Sequence, residues 1–168
     1  MRTRTLSLFL MTAIFGAVAT YAAIGSAAER RQPANNCVRD DATTPSGGLL
    51  HAFSLIQGTT TAATRATCPY DDDDRFPKQS VNTLNLHLFS NCNSEFCNQS
   101  ARACSQPFSG GAANCTFFKA TNGIGALPLT FNHTDLAPAW GPTFKSDWGY
   151  IEVNLSQGSN LYGYFSST

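Results

Sequence analysis

The stretch Val81-Asn82-Thr83-Leu84-Asn85-Leu86-His87-Leu88-Phe89 decides the fold class, because Leu84, Leu86 and Leu88 alternate with Thr83, Asn85, His87 and Phe89. A repeat of two sends successive side chains to opposite sides of an extended chain, leaving one apolar face and one wetter face. Shorter runs carry the same signal at residues 116–120, 127–131, 149–155 and 161–165, each bounded by Gly, Pro or Asn. Residues 49–56 read as a first strand. The threonine-rich residues 59–67 read as an edge strand or a loop, since threonine favours extended backbone but cannot build a core alone. Gln157-Gly158-Ser159-Asn160 reads as a turn, so the runs on either side of it are expected to form an antiparallel hairpin. Several short strands, with no sustained helical period after residue 28, predict an all-β protein: an antiparallel β-sandwich, jelly-roll-like or Ig-like.

Outward from that core, residues 90–113 gather Asn, Gln, Cys, Pro107, Gly110 and Gly111, the composition of a cross-linked loop region, with a helical turn near residues 94–103 as one reading. Residues 29–48 contain Pro33, Asp40, Asp41, Pro45, Gly47 and Gly48 with almost no large apolar side chain, and read as an extended N-terminal arm held mainly by Cys37. Residues 49–168 then form a single sandwich domain. At the start, Arg2 and Arg4 precede an apolar run from residue 6 to residue 18 and small residues ending in Gly25-Ser26-Ala27-Ala28. These are the three parts of a secretory signal, so residues 1–28 are expected to be removed after Ala28 and the protein to be secreted or periplasmic. The apolar run is broken by Thr12, Gly16 and Thr20, which argues against an uncleaved anchor, and no later segment is apolar enough for a membrane span.

The cysteines are Cys37, Cys68, Cys92, Cys97, Cys104 and Cys115, an even number in a chain bound for an oxidising compartment. Disulfides are the default for such a set, although sequence cannot choose among the 15 pairings of six cysteines. The preferred arrangement closes Cys92, Cys97, Cys104 and Cys115 locally and joins Cys37 to Cys68. A zinc site is the competing use of the four closely spaced thiols, but they lack the short Cys-x2-Cys knuckles that structural zinc favours. Charge adds an exclusion: 11 basic against 11 acidic residues leave no broad field for collecting phosphate, so nucleic acid is not an expected partner.

Cys68-Pro69 followed by an aspartate-rich loop, the strand 84–89 ending near Cys92, Trp148-Gly149-Tyr150 with Leu155, and the closing Leu161-Tyr162-Gly163-Tyr164 together resemble a group of small exported bacterial proteins of unassigned function. The resemblance covers most of the chain after residue 66 and implies a secreted β-sandwich. It differs from the group in lacking a cysteine within residues 150–155, and it brings no activity with it.

The sharpest charge feature is Asp71-Asp72-Asp73-Asp74. Calcium could relieve the repulsion of adjacent carboxylates, with Asp71 and Asp73 as alternate residues on one side of an extended loop. A solvated acidic loop is the simpler reading, because the spacing departs from an EF-hand. His51, His87 and His133 are scattered and form no metal or triad pattern. Asp135, Asp147 and Glu152 are the acids a glycoside hydrolase would draw on, yet no Gly-x-Ser-x-Gly elbow or odd cysteine supports hydrolytic chemistry. Binding has more support. Seven aromatic residues fall among the 26 residues from Trp140 to Phe165, interleaved with Asp147, Asn154 and Asn160. Flat rings stack on apolar sugar faces while amides and carboxylates take the hydroxyls. Alternation places Tyr150 opposite to Ile151, Val153 and Leu155, and Tyr162 with Tyr164 opposite to Leu161 and Phe165. Trp148, Tyr150, Tyr162, Tyr164 and Asn154 are therefore the expected binding set, for a carbohydrate or an extracellular protein. A row of exposed tyrosines serves equally as a subunit interface, or reflects β-propensity alone.

Overall fold

The computed structural model describes residues 28–39, 49–52, 55–58, 64–74, 76–91 and 98–168, with the backbone alone for 49–52. Cys92, Cys97, residues 1–27 of the expected signal and most of the expected arm beyond Arg39 lie outside the described residues. The described strands are β1 (Glu29–Pro33), β2 (Val38–Arg39), β3 (Leu49–Ala52), β4 (Leu55–Gly58), β5 (Thr64–Pro69), β6 (Thr83–Ser90), β7 (Gln99–Gln106), β8 (Asn114–Cys115), β9 (Lys119–Thr121), β10 (Gly125–Asn132), β11 (Trp148–Leu155) and β12 (Ser159–Ser167), with one helix, α1 (His133–Trp140). They form two antiparallel sheets. The first runs β10-β6-β12-β4-β3, with β1 also on β12, and the second runs β2-β5-β11-β7-β8, with β9 also on β7. The expected β-sandwich is the fold. Among the described residues no helix is long and apolar enough to cross a membrane.

The period-two reading of residues 81–89 accounts for the core. Leu84, Leu86 and Leu88 point inward from β6, beside Leu129 and Phe131 of β10 and Leu161 of β12, all nearly free of solvent. The facing sheet contributes Ile151, Val153 and Leu155 from β11, flanked by the small Ala66, Ala101 and Ala103 of its neighbours. Each fully buried aliphatic side chain stabilises the fold by about 1.5–3 kcal/mol relative to exposure. Disulfides join Cys37 to Cys68 and Cys104 to Cys115. With Cys104 and Cys115 oxidised to each other, neither is available as a zinc thiolate.

Three expectations are corrected, and one element is added. The hairpin expected at residues 157–160 is instead a crossing between sheets, since β11 lies in the second sheet and β12 in the first. Both strands already have partners on each edge: β5 and β7 for β11, and β6 with β1 and β4 for β12. Neither has an edge left for the other. Gly158 at φ 70°, with its N–H bonded to Gly58 O at 2.9 Å, makes the crossing. The stretch read as a loop with a helical turn contains β7, eight residues long and central in its sheet, where Ala101 and Ala103 face in while Ser100 and Arg102 face the wetter side. Residues 49–56 are two paired strands rather than one, with Ala52 opposite Leu55. The helix α1 was not anticipated either. Asn132 caps it, accepting from Asp135 N–H at 2.9 Å while the Asp135 carboxylate accepts from Asn132 N–H at 2.8 Å. Such reciprocal capping starts a helix without a long apolar stripe. Trp140 at its end is buried, donating to Cys104 O at 2.9 Å and packing on Tyr70 with ring centres 4.6 Å apart.

Candidate functional site

Where β5 leaves its sheet and β11 enters it, the chain forms a cleft of about 630 Å³. The acidic loop, Pro77, Gln79, Phe108 and residues 145–148 line it. Two features that sequence places about half the domain apart, the aspartate run and Trp148, meet here. Lys78 brings them together. Its side chain is wholly buried, and Nζ donates to Asp72 Oδ2 at 2.8 Å, Asp147 O at 2.5 Å and Lys145 O at 3.2 Å. A charge so buried persists only when its hydrogen bonds are complete, and these three donations fill it. The ammonium thus ties the acidic loop to the segment that presents Trp148. Gly149 leaves room for the same contact: a Cβ there would lie 3.0 Å from the Lys78 Cδ, and the lysine stem would have to give by a few tenths of an ångström.

Arg30 of β1 closes the other side. Its guanidinium donates to the Asp71 backbone oxygen and to the Asp73 carboxylate, lies 3.4 Å from Asp71 Oδ2 and sits 5.2 Å from the centre of the Phe76 ring. The two aspartates proposed for calcium therefore meet a cation of the chain itself, and Asp72 meets another. Among the described residues, the only group of three ligating side chains drawn close together is Cys104, Cys115 and Glu152, whose sulfurs form the disulfide. Asp74 and Asp147 have no ion-pair partner among the described residues, and both border the cleft. The Oε1 atoms of Gln32 and Gln79, also on its wall, are buried without a hydrogen-bond partner. Such acceptors are costly to leave unmade and are ready to take a donor. Tyr70 forms part of the floor, with its hydroxyl 3.1 Å from Ser166 Oγ, and burial pushes its phenol up to about 12.

The expected binding residues divide between the two faces. Trp148, 49% exposed, reaches the cleft, and Tyr150 stands beside it with ring centres 6.2 Å apart. Asn154, further along β11, donates to Ser100 Oγ at 3.0 Å and accepts from Arg65 Nε at 3.3 Å, so it serves the outer surface of its sheet. Tyr162 is exposed but belongs to the opposite sheet, against Phe89. Tyr164 is buried, and its hydroxyl donates to Pro69 O. Three tyrosines do not share one exposed face. The cause is a bulge in β12: Leu161 pairs with Leu88 and Gly163 with His87, leaving Tyr162 as an extra residue. One inserted residue reverses the inward–outward phase, turning Tyr164 into the core and Phe165 outward. A subunit interface built on that row loses the same geometry.

The acids named for hydrolysis also stand apart. Glu152 pairs with Arg102 at 2.7 Å on the outer face of its sheet, and Asp147 borders the cleft. Asp135 accepts from Lys119 Nζ at 2.5 Å, a bond that, with the one from Asn132 N–H, holds its carboxyl below the usual range. Sequence reasoning passed over Gln79, Gln32 and Phe108, and took Lys78 only as a neighbour of the acidic loop. Lys78 was open to reading only as one cation near four acids; its bonds to backbone oxygens leave no mark in sequence.

No protein-family model matches the chain, and no curated protein matches it in sequence. Among solved structures, it is similar to the "xylan-binding module CBM15", at 7% identity and a TM-score of 0.57 over 84% of this chain and 97% of that one. It is also similar to the C-terminal CBM6 of a marine laminarinase from Zobellia galactanivorans, at 8% identity and a TM-score of 0.47, over 84% of this chain and all of the other. The likeness to the xylan-binding module is one of fold.

Proposed function

We propose that this protein is an exported carbohydrate-binding module whose rim cleft holds a glycan against Trp148. The observation that carries the reading is the meeting, in one 630 Å³ cleft, of an exposed indole with carboxylates and buried amide oxygens that have no partner among the described residues. Sugar rings offer an apolar face for the indole and hydroxyl donors for Asp74, Asp147, Gln32 and Gln79. The fold supports the reading, since the xylan-binding module shares it. The two disulfides among the described residues, together with the leader-like pattern of residues 1–28, support a place outside the cytoplasm, where polysaccharides are met.

Titration calorimetry against a panel of soluble plant, algal and bacterial polysaccharides tests it, with Trp148→Ala as the paired variant. Loss of the stacking ring is expected to weaken binding about tenfold or more, without lowering the melting temperature, because half of the side chain is already in solvent. Unchanged affinity in the variant, or no binder in the panel, would refute the assignment.

A further inference from the structure

The outer face of the first sheet carries a second concavity, of about 270 Å³, away from Trp148. Tyr162, His87 and Phe165 surround it, Gly163 lies among them, and Arg31 and Gln32 of β1 form its edge. The His87 and Phe165 rings are 5.3 Å apart at a 37° tilt, and Tyr162 meets Phe89 edge-on at 6.4 Å, so the rings continue across the sheet as one strip. The bulge that defeats the tyrosine row is what completes this strip: it reverses the phase of β12 and turns Phe165 outward beside His87, on the face that already carries Tyr162. Gly163, opposite His87, is required by the neighbouring strand: a Cβ there would lie 2.6 Å from the Gln32 backbone oxygen of β1.

We propose that this hollow is a second sugar site, selective for hexuronate units. It is independent of the cleft, although it extends the carbohydrate reading of the protein. The rings supply a flat apolar bed for a pyranose. The charge on its edge is positive. Among the described residues no acidic side chain lines the hollow, and Arg31, whose side chain is 81% exposed, makes one ion-pair contact, at 3.4 Å to the half-exposed Glu29. An exposed pair of that length is worth little and gives way to a carboxylate that offers Arg31 two oxygens. The rim cleft has the opposite character, with its surplus of aspartates, so an acidic glycan selects the sheet face and a neutral one the cleft.

The test titrates the full exported protein with galacturonate and mannuronate trimers, and with the methyl esters of the same trimers, which keep the ring and remove the charge. The acids are expected to bind at least tenfold more tightly than their esters. Arg31→Gln should abolish that preference, Tyr162→Ala should weaken acid and ester alike by about tenfold, and Trp148→Ala should leave hexuronate binding unchanged. Both substituted side chains at this face are solvent-exposed, and circular dichroism with melting confirms that the variants fold. Equal affinity for acid and ester, absence of saturable binding by either trimer, or loss of hexuronate binding in Trp148→Ala would overturn the proposal. Hexuronate binding in a protein whose affinities for every other glycan ignore Trp148 would refute the cleft assignment and leave this one standing.

Discussion

Lys78→Met removes one ammonium and nearly nothing else, because methionine fills much of the buried volume of the lysine stem. The change takes away three donations, to Asp72 Oδ2, Asp147 O and Lys145 O. Breaking a buried ion pair from one side costs about 3–5 kcal/mol, chiefly because the partner charge is left without compensation. Asp72 retains 20% side-chain exposure and still accepts from Lys78 N–H at 2.9 Å, which places the expected cost near the lower end, about 3 kcal/mol. For a domain of this size that is a fall in melting temperature of roughly 10 °C. Adding Asp72→Asn removes the stranded charge and should restore about 1–2 kcal/mol, so the double variant is expected to be more stable than Lys78→Met alone. Calorimetric melting of both variants gives the magnitudes, and Trp148 fluorescence reports whether residues 145–148 have loosened. A loss below about 1 kcal/mol in Lys78→Met, or a double variant less stable than the single one, would show that Lys78 is not what holds the cleft together.

Three further outcomes follow from the same structure. Gly163→Ala would set a Cβ 2.6 Å from the Gln32 backbone oxygen, so β1 must move; the expected cost is about 1–3 kcal/mol, with amide-exchange protection lost first over Glu29–Pro33, and unchanged protection there would refute it. Tyr70 ionises at about 12 in the fold and near 10 when unfolded, so its contribution to stability is complete below pH 10 and is lost as pH rises towards 12, by about 3 kcal/mol in all; a chain still folded while every tyrosine titrates as one class near 10 would contradict its burial. Calcium at millimolar levels is expected to leave the melting temperature unchanged, since Arg30 and Lys78 already balance Asp71, Asp72 and Asp73, and a rise of several degrees would show an ion taking their place.

What the sequence determined by itself is what local physics carries. Alternating leucines in residues 83–89 can bury one face only as a strand, and an even set of cysteines reads as a disulfide framework. Those two signals are enough for a cross-linked β-sandwich, and the aromatic enrichment after Trp140 is enough to raise binding. Weaker local signals went unread: Ala101 and Ala103 alternate with Ser100 and Arg102 but bury little surface per residue, and the Asn132 and Asp135 cap stands ahead of a short helix containing Pro138. Tertiary structure alone decided which ring faces solvent and which charges meet. The phase of β12 depends on a single bulged residue, whose position is set by pairing with β6 and by the close passage of β1 over Gly163. The parting of β11 and β12 depends on edges already taken by strands from elsewhere in the chain. The joining of Trp148 to the aspartate run depends on Lys78, which reaches two backbone oxygens that any residue would supply. Side-chain periodicity is a property of neighbours in sequence, whereas strand order, bulge position and a lysine bound to main-chain oxygens are settled only when distant segments compete for the same space.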